Sequence, residues 1–104
     1  AVTVDGEPRA LPAEVDLAAY RIIQEALTNV TRHADASSVH VRITYGDKEM
    51  SVQVNDDGRG GTPVAGNGIR GMAERAQAVG GSLTVTGTSS GVRVTASLPV
   101  GERA

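Results

Sequence analysis

Apolar residues recur with two different periods along this chain of 104 residues. Between positions 14 and 33, and again between 68 and 79, they follow the spacing that buries one face of an α-helix. Other segments alternate between apolar and polar residues, which is typical of strands with one buried face. These predicted strands lie around residues 39–45, 50–54, 83–85 and 92–98, and a weaker alternation predicts a short edge strand within residues 1–6.

Glycine and aspartate residues mark the boundaries between these segments. Gly46 and Asp47 separate two alternating segments, which are therefore predicted to form an antiparallel hairpin. Gly80 and Gly81 stand where the cap of the second helix is expected, and residues 87–91 are predicted to form a turn. The order strand, helix, strand, strand, helix, strand, strand predicts an α+β fold, in which helices cover one face of a mixed, mainly antiparallel sheet.

Composition and charge exclude several classes of protein. The chain has no Cys, which excludes a disulfide scaffold, a thiolate zinc site and a cysteine nucleophile. Its 10 basic residues are scattered among 12 acidic ones, so no surface for nucleic acid is expected. No apolar run approaches the roughly 18 residues of a membrane span, and no signal peptide opens the chain. We therefore expect one cytoplasmic domain, residues 1–104, that makes no membrane contact.

A row of polar residues accompanies the apolar face of the first predicted helix. Arg21, Glu25, Asn29 and His33 are four residues apart, so a helix places them in one line. One interpretation is a solvated face with an i, i+4 ion pair. Asn29, however, is at the margin of the buried face, and Asn has only a mediocre helix propensity. The second interpretation is that its amide oxygen, a hard ligand, contacts Mg²⁺.

Asp56 continues an apolar row of the third predicted strand. Side chains on one face of a strand repeat every two residues, so Asp56 shares a face with Met50, Val52 and Val54. A carboxylate there could accept a hydrogen bond at the floor of a pocket. The alternative is that the strand ends at Asn55 and that Asp56 only begins a turn. Asp57 is expected to face away and to serve the turn.

Six of the 13 glycines fall between positions 58 and 71. Residues 66–71 match the G-x-G-x-x-G pattern of dinucleotide-binding folds. That fold needs a parallel strand just before the pattern and an acidic residue about 20 positions later. Here a loop precedes the pattern and Ser89 and Ser90 stand at that distance, so we reject this interpretation. Two alternatives are left: backbone amides and a helix N-terminus that bind phosphate, or a flexible loop capped by a helix.

Taken together, the three segments resemble one known family. Residues 24–34, QEALTNVTRHA, resemble the N box of sensor histidine kinases, and residues 56–60, DDGRG, resemble their D-x-G-x-G box. Residues 66–76, GNGIRGMAERA, resemble the last glycine box, in the variant found in nitrate and lipid sensors. The resemblance covers residues 14–99. It implies a Bergerat-type ATP-binding fold, an α/β sandwich shared with gyrase, MutL-type and heat-shock ATPases.

The resemblance also implies a role for individual residues. Asn29 matches the Mg²⁺ ligand and Asp56 matches the carboxylate that binds adenine. Glu25 matches the acid of the N box and is the expected catalytic base, with a carboxylate beside the target histidine on the partner domain as the alternative. The other expected contacts to ATP are Arg32, His33, Gly58, Gly60, Gly66, Gly68, Ile69, Gly71 and Met72.

Two positions depart from the family pattern. The lid between Gly60 and Gly66 is very short, which leaves few residues to close over ATP. The last strand begins with Gly91 and Val92, where the family commonly has Gly-Thr. A hydroxyl group that supports the adenine-binding carboxylate is therefore missing.

The implied function is that of a catalytic domain in a two-component phosphorelay. The domain would bind Mg-ATP and donate the γ-phosphate to a histidine on its own dimerisation domain, and so act indirectly on a response regulator. The dimerisation and sensor domains are expected outside these residues, in a homodimeric parent kinase that is either soluble or membrane-anchored, whereas the isolated domain is expected to be a monomer. The alternatives are an ATP-binding regulatory module without transferase activity and a serine kinase of the anti-sigma-factor type.

Overall fold

The computed structural model describes residues 2–30, 38–58, 68–88 and 91–101. Within these ranges, two helices and five strands follow one another in the predicted order. They are β1 (Val2–Asp5), α1 (Ala13–Asn29), β2 (Val39–Tyr45), β3 (Glu49–Asp56), α2 (Ile69–Ala78), β4 (Ser82–Thr88) and β5 (Gly91–Pro99).

The five strands form one sheet in the order β1-β2-β3-β5-β4. β1 runs parallel to β2, and every other neighbouring pair is antiparallel, which confirms the mixed, mainly antiparallel sheet. α1 packs against β3 and β5, and α2 packs against β4 and β5. The two helices also contact each other.

An aliphatic core lies between the helices and the sheet. The strands contribute alternate residues, among them Val52, Ala96 and Leu98, which are at most 1% exposed. Ile22 of α1 and Met72 of α2 are equally buried. Tyr20, by contrast, is 60% exposed on α1, so the core contains no aromatic side chain of this helix. Burial of such aliphatic side chains, at roughly 1.5–3 kcal/mol each, is the main force that holds the layers together.

Helix boundaries follow the sequence signals closely. α1 begins after Pro12, and Glu14 and Asp16 in its first turn complement the positive end of the helix dipole. α2 ends at Ala78, and the predicted glycine cap follows it. The N–H of Gly80 donates to the Gln77 carbonyl at 2.9 Å. The φ of 83° at Gly80 then turns the chain so that the N–H of Gly81 reaches the Ala76 carbonyl at 2.8 Å. Neither described helix is long and apolar enough to cross a membrane.

Two predicted boundaries differ from the structure or extend beyond its described part. β4 and β5 extend into the turn predicted for residues 87–91, where Gly87 pairs with Val92 and Thr88 pairs with Gly91. The two residues between them, 89 and 90, lie outside the described residues. The last positions of the first predicted helix, residues 31–33, lie outside the described residues.

Candidate nucleotide-binding site

Asp56 is the last residue of β3, at the end of the sheet where β5 begins. Met50, Val52 and Val54, which precede it on the same face, are at most 3% exposed. Asp56 itself is half-buried, and it pairs with Val39 of β2. The prediction that this carboxylate extends the buried row is confirmed, since β3 continues through Asp56.

Two backbone amides hold the Asp56 carboxylate. The N–H of Gly58 donates to Oδ1 at 2.9 Å, and the N–H of Val92 approaches the same atom at 3.4 Å. Asp56 accepts no bond on Oδ2 from the residues that the structure describes. Within the described residues, the protein therefore binds one oxygen of this carboxylate, and a carboxylate oxygen without such a bond can accept one from a ligand.

Gly91 allows β5 to approach Asp56 closely. An added Cβ at Gly91 would overlap the Asp56 backbone carbonyl and stand 3.3 Å from the Cα of Asp57. Its φ of 148° is also unfavourable for residues with a side chain. The sequence indicates that residue 92 lacks a hydroxyl group, but not that its main chain supports Asp56. Gly91, which precedes it, is the one signal of this close approach.

Asp57 has a different role from Asp56. Its side chain is exposed, and its Oδ1 accepts a hydrogen bond from the N–H of Ser38 at 2.8 Å. The N–H of Asp57 in turn donates to the Ser38 carbonyl at 3.3 Å. Asp57 therefore joins the two strands at the open end of the β2–β3 hairpin. It is exposed, as expected, and its part in a turn stays a prediction.

The polar row on α1 becomes less exposed towards the end of the helix. Arg21 is exposed, whereas Glu25 and Asn29 are half-buried. Arg21 donates to the Gln24 side chain at 3.2 Å and lies over the Tyr20 ring, so it is not committed to an ion pair with Glu25. The exposed Arg21 fits the solvated face, and the roles of Glu25 and Asn29 stay predictions.

The first turn of α2 brings the glycine box to the end of α1. Gly68 is the N-cap of α2, with a φ of 81°, and it lies against the side chain of Glu25. Gly71, one turn later, is exposed, and a Cβ added there would meet no described atom within 4 Å. Ile69 packs partly buried against the core, and Met72 is 1% exposed within it. The structure thus shows packing roles for Ile69 and Met72, and their contact with ATP stays a prediction.

Four predicted ATP contacts cannot be placed on this framework. Arg32, His33, Gly60 and Gly66 lie outside the described residues, as does the segment between the two glycines that was predicted to form a short lid.

The oxygen ligand near the end of α1 fits a metal ion that is already coordinated by a nucleotide and water. No group of three or more His, Asp or Glu residues in the described ranges could hold a metal ion. Asn29 offers one hard amide oxygen at a half-buried position. Mg²⁺ usually takes few protein ligands and completes its shell with water and phosphate oxygens, so this set is compatible with Mg²⁺ bound to a nucleotide.

Comparison with known proteins shows the family. The sequence model of the family of histidine kinase-, DNA gyrase B- and HSP90-like ATPases matches residues 14–102 of this chain. The chain belongs to this ATPase family. The resemblance found in the three sequence boxes is thereby confirmed, and the chain is an ATP-binding domain.

Curated relatives of this ATPase domain are named as sensor kinases. It is 44% identical over 91 residues to the sensor histidine kinase YxjM of Bacillus subtilis, with 86% of the chain aligned. It is 41% identical over 83 residues, 77% of the chain, to the signal transduction histidine-protein kinase/phosphatase UhpB of Salmonella typhimurium. The aligned part spans only 22% of YxjM and 16% of UhpB, so most of each relative lies outside it.

A solved structure confirms the fold of the ATPase domain. The histidine kinase domain of the blue-light activated histidine kinase of Erythrobacter litoralis EL346 superposes with a TM-score of 0.71 at 27% sequence identity. The alignment covers 95% of the present chain and 54% of that domain.

Proposed function

We propose that this ATPase domain is the catalytic domain of a sensor histidine kinase. In this proposal it binds Mg-ATP and presents the γ-phosphate to a histidine on the dimerisation domain of its parent protein. The observation that carries the proposal is the half-buried Asp56 carboxylate, held through Oδ1 by two main-chain amides at the edge of the glycine-rich segment. The sequence similarity to sensor histidine kinases supports the choice of acceptor.

The Asp56 carboxylate suits adenine better than guanine. Adenine presents an exocyclic N6 amino group, which donates hydrogen bonds, whereas guanine presents the O6 acceptor at the corresponding position. An ionised carboxylate accepts bonds and cannot donate them. With Oδ1 occupied by Gly58 and Val92, Oδ2 is the atom proposed to accept the N6–H bond.

The phosphates are proposed to extend from this pocket towards the first turn of α2. Exposed backbone at Gly71 and the positive end of the helix dipole favour an anion there. Asn29 would hold Mg²⁺ through its amide oxygen, and Mg²⁺, when bound, supplies neutralisation of the phosphate charge. The contribution of the protein is thus mainly positioning and electrostatic stabilisation.

Transfer itself exchanges one bond to phosphorus for another. The bond between the γ-phosphorus and the β,γ-bridging oxygen breaks, a phosphorus–nitrogen bond forms on the imidazole, and ADP leaves. The imidazole proton passes to Glu25 or to a carboxylate next to the target histidine on the dimerisation domain. The phosphohistidine then supplies a response regulator, and a homodimeric parent kinase places the two domains together.

Reconstitution tests this function. We expect negligible phosphorylation of the isolated domain with γ-³²P-labelled ATP, and acid-labile label on an added dimerisation domain of the parent kinase. Glu25→Gln lowers the transfer rate by about 10²–10⁴-fold if Glu25 is the base. A loss below about tenfold assigns the base to the partner domain. Acid-stable label on Ser or Thr of an added protein, or ATP binding without any transfer, would contradict the histidine-kinase assignment.

A further inference from the structure

Gly68 and Gly71 belong to the same glycine box, but their surroundings differ. An alanine Cβ at Gly68 would stand 2.6 Å from the Cγ of Glu25 and closer still to its carboxylate. At Gly71 the same atom would meet no described atom within 4 Å. A protein side chain therefore occupies the space beside Gly68, whereas no described atom occupies the space beside the exposed Gly71.

The contact between Glu25 and Gly68 joins α1 to the residue that precedes the first turn of α2. Gly68 is the N-cap of α2, and no side chain of α2 caps the helix by a hydrogen bond. The first turn of α2 also contains no acidic residue. Glu25 is half-buried and comes from the last two turns of α1, which is anchored in the core through Ile22 and Ala26.

We propose that Glu25 is a positioning residue for the nucleotide site. Its side chain, packed against Gly68, fixes the N-terminus of α2 relative to α1 and so holds the glycine box in place before phosphates bind. The absence of a Cβ at Gly68 leaves room for the Glu25 side chain, and the absence of a Cβ at Gly71 leaves room for the proposed ligand. This inference rests on the proposed nucleotide site, and it is separate from any role of Glu25 as a base.

A double-mutant cycle with ADP tests the proposal. ADP has no γ-phosphate, so a base acting on the transfer step does not affect its binding. Gly68→Ala displaces the Glu25 side chain and Glu25→Ala removes it, so both substitutions abolish the same contact. We expect each to weaken ADP binding by roughly fivefold or more, and the double variant to bind no more weakly than the weaker of the two single variants.

Two control variants separate positioning from strain and from charge. Gly80→Ala introduces the same backbone strain, since its φ is 83°, but its Cβ would make an ordinary contact of 3.6 Å with Pro99. We expect this variant to bind ADP within about twofold of the wild type. Glu25→Gln keeps the length and packing of the side chain and is expected to stay within about threefold.

The proposal is overturned if the effects of Gly68→Ala and Glu25→Ala multiply, or if either leaves ADP affinity unchanged. A wild-type domain that binds neither ADP nor ATP would instead contradict the proposed function. In that case, the contact is tested by the melting temperatures of the wild type, the two single alanine variants and the double variant, because this measurement requires no nucleotide. A double variant that melts no lower than Gly68→Ala alone supports the contact, and additive shifts refute it.

Discussion

Asp56 and Asp57 are identical side chains on adjacent residues, yet the pleat of β3 gives them different environments. Asp56 follows the buried row of the strand and binds two main-chain amides. Asp57 points to the other side and binds Ser38. A one-residue change in register would exchange these roles, so the pair is a sensitive test of the proposed adenine site.

Replacement of Asp56 should alter both the affinity for nucleotide and the choice of base. A hydrogen bond to a charged group contributes about 1.5–3 kcal/mol, so Asp56→Ala is expected to weaken ATP binding by roughly 10- to 150-fold. Asp56→Asn retains an oxygen atom that accepts from the N–H groups of Gly58 and Val92, but it presents an amide N–H₂ donor to the ligand. It is expected to reduce the preference for ATP over GTP more than Asp56→Ala does. Competition of ATP and GTP against a fluorescent nucleotide measures both effects.

Asp57→Asn is the matched control for these variants. The amide oxygen of Asn can still accept the bond from Ser38, so the hairpin end is preserved. Binding is expected to change by less than about threefold, as for most exposed substitutions. Greater sensitivity at Asp57 than at Asp56 would show that the floor of the pocket is misassigned.

Asn29 should influence the effect of Mg²⁺ on ATP binding rather than binding in general. Asn29→Ala removes the one hard oxygen that this end of α1 offers to the metal ion, so most of the enhancement by Mg²⁺ is expected to disappear. Affinity in EDTA should stay close to that of the wild type. Calorimetry with and without Mg²⁺ measures the difference. Gln24→Ala, which removes an exposed amide of the same helix, should keep the full enhancement.

At the scale of elements, the first turn of α2 offers a test that separates folding from binding. Gly71 is helical, a Cβ added there would meet no described atom within 4 Å, and Ala is favoured over Gly in helices by up to about 1 kcal/mol. Gly71→Ala is therefore expected to raise the melting temperature by up to about 4–8 °C. It should also weaken ATP binding by about tenfold or more, because the methyl group blocks the approach of phosphate to the backbone. An unchanged affinity for ATP would show that phosphate does not approach the backbone at Gly71.

Periodicity predicted the elements well because one face of each is buried. The alternation of Val52 and Val54 with polar residues located β3, and glycines located the end of α2. The contact between Asp56 and Val92 was not predictable, since it depends on the register between strands separated by 36 residues in sequence. The contact between Glu25 and Gly68 depends likewise on helix packing. Local pattern determines what each element buries, and long-range packing determines which residues share the site.

At the scale of the whole molecule, stability depends on a small aliphatic core. Ile22 is fully buried and Leu17 of the same helix is 55% exposed. Ile22→Ala is expected to lower the free energy of unfolding by about 2–5 kcal/mol, through lost transfer energy and an unfilled cavity. Leu17→Ala should change it by about 0.5 kcal/mol or less. Urea denaturation followed by circular dichroism compares the two, and equal losses would contradict the packing of α1.

The aromatic composition of the chain also determines which optical signals the protein gives. The chain has no Trp and two Tyr. Tyr20 is exposed on α1, and Tyr45 ends β2 opposite Met50, whereas Asp56 pairs with Val39 at the other end of the hairpin. Excitation near 295 nm, which selects Trp over Tyr, therefore gives almost no native fluorescence. The emission of a single Trp introduced beside the glycine box could be measured without background from the protein. Binding and unfolding could then be followed in one cuvette as two independent optical signals.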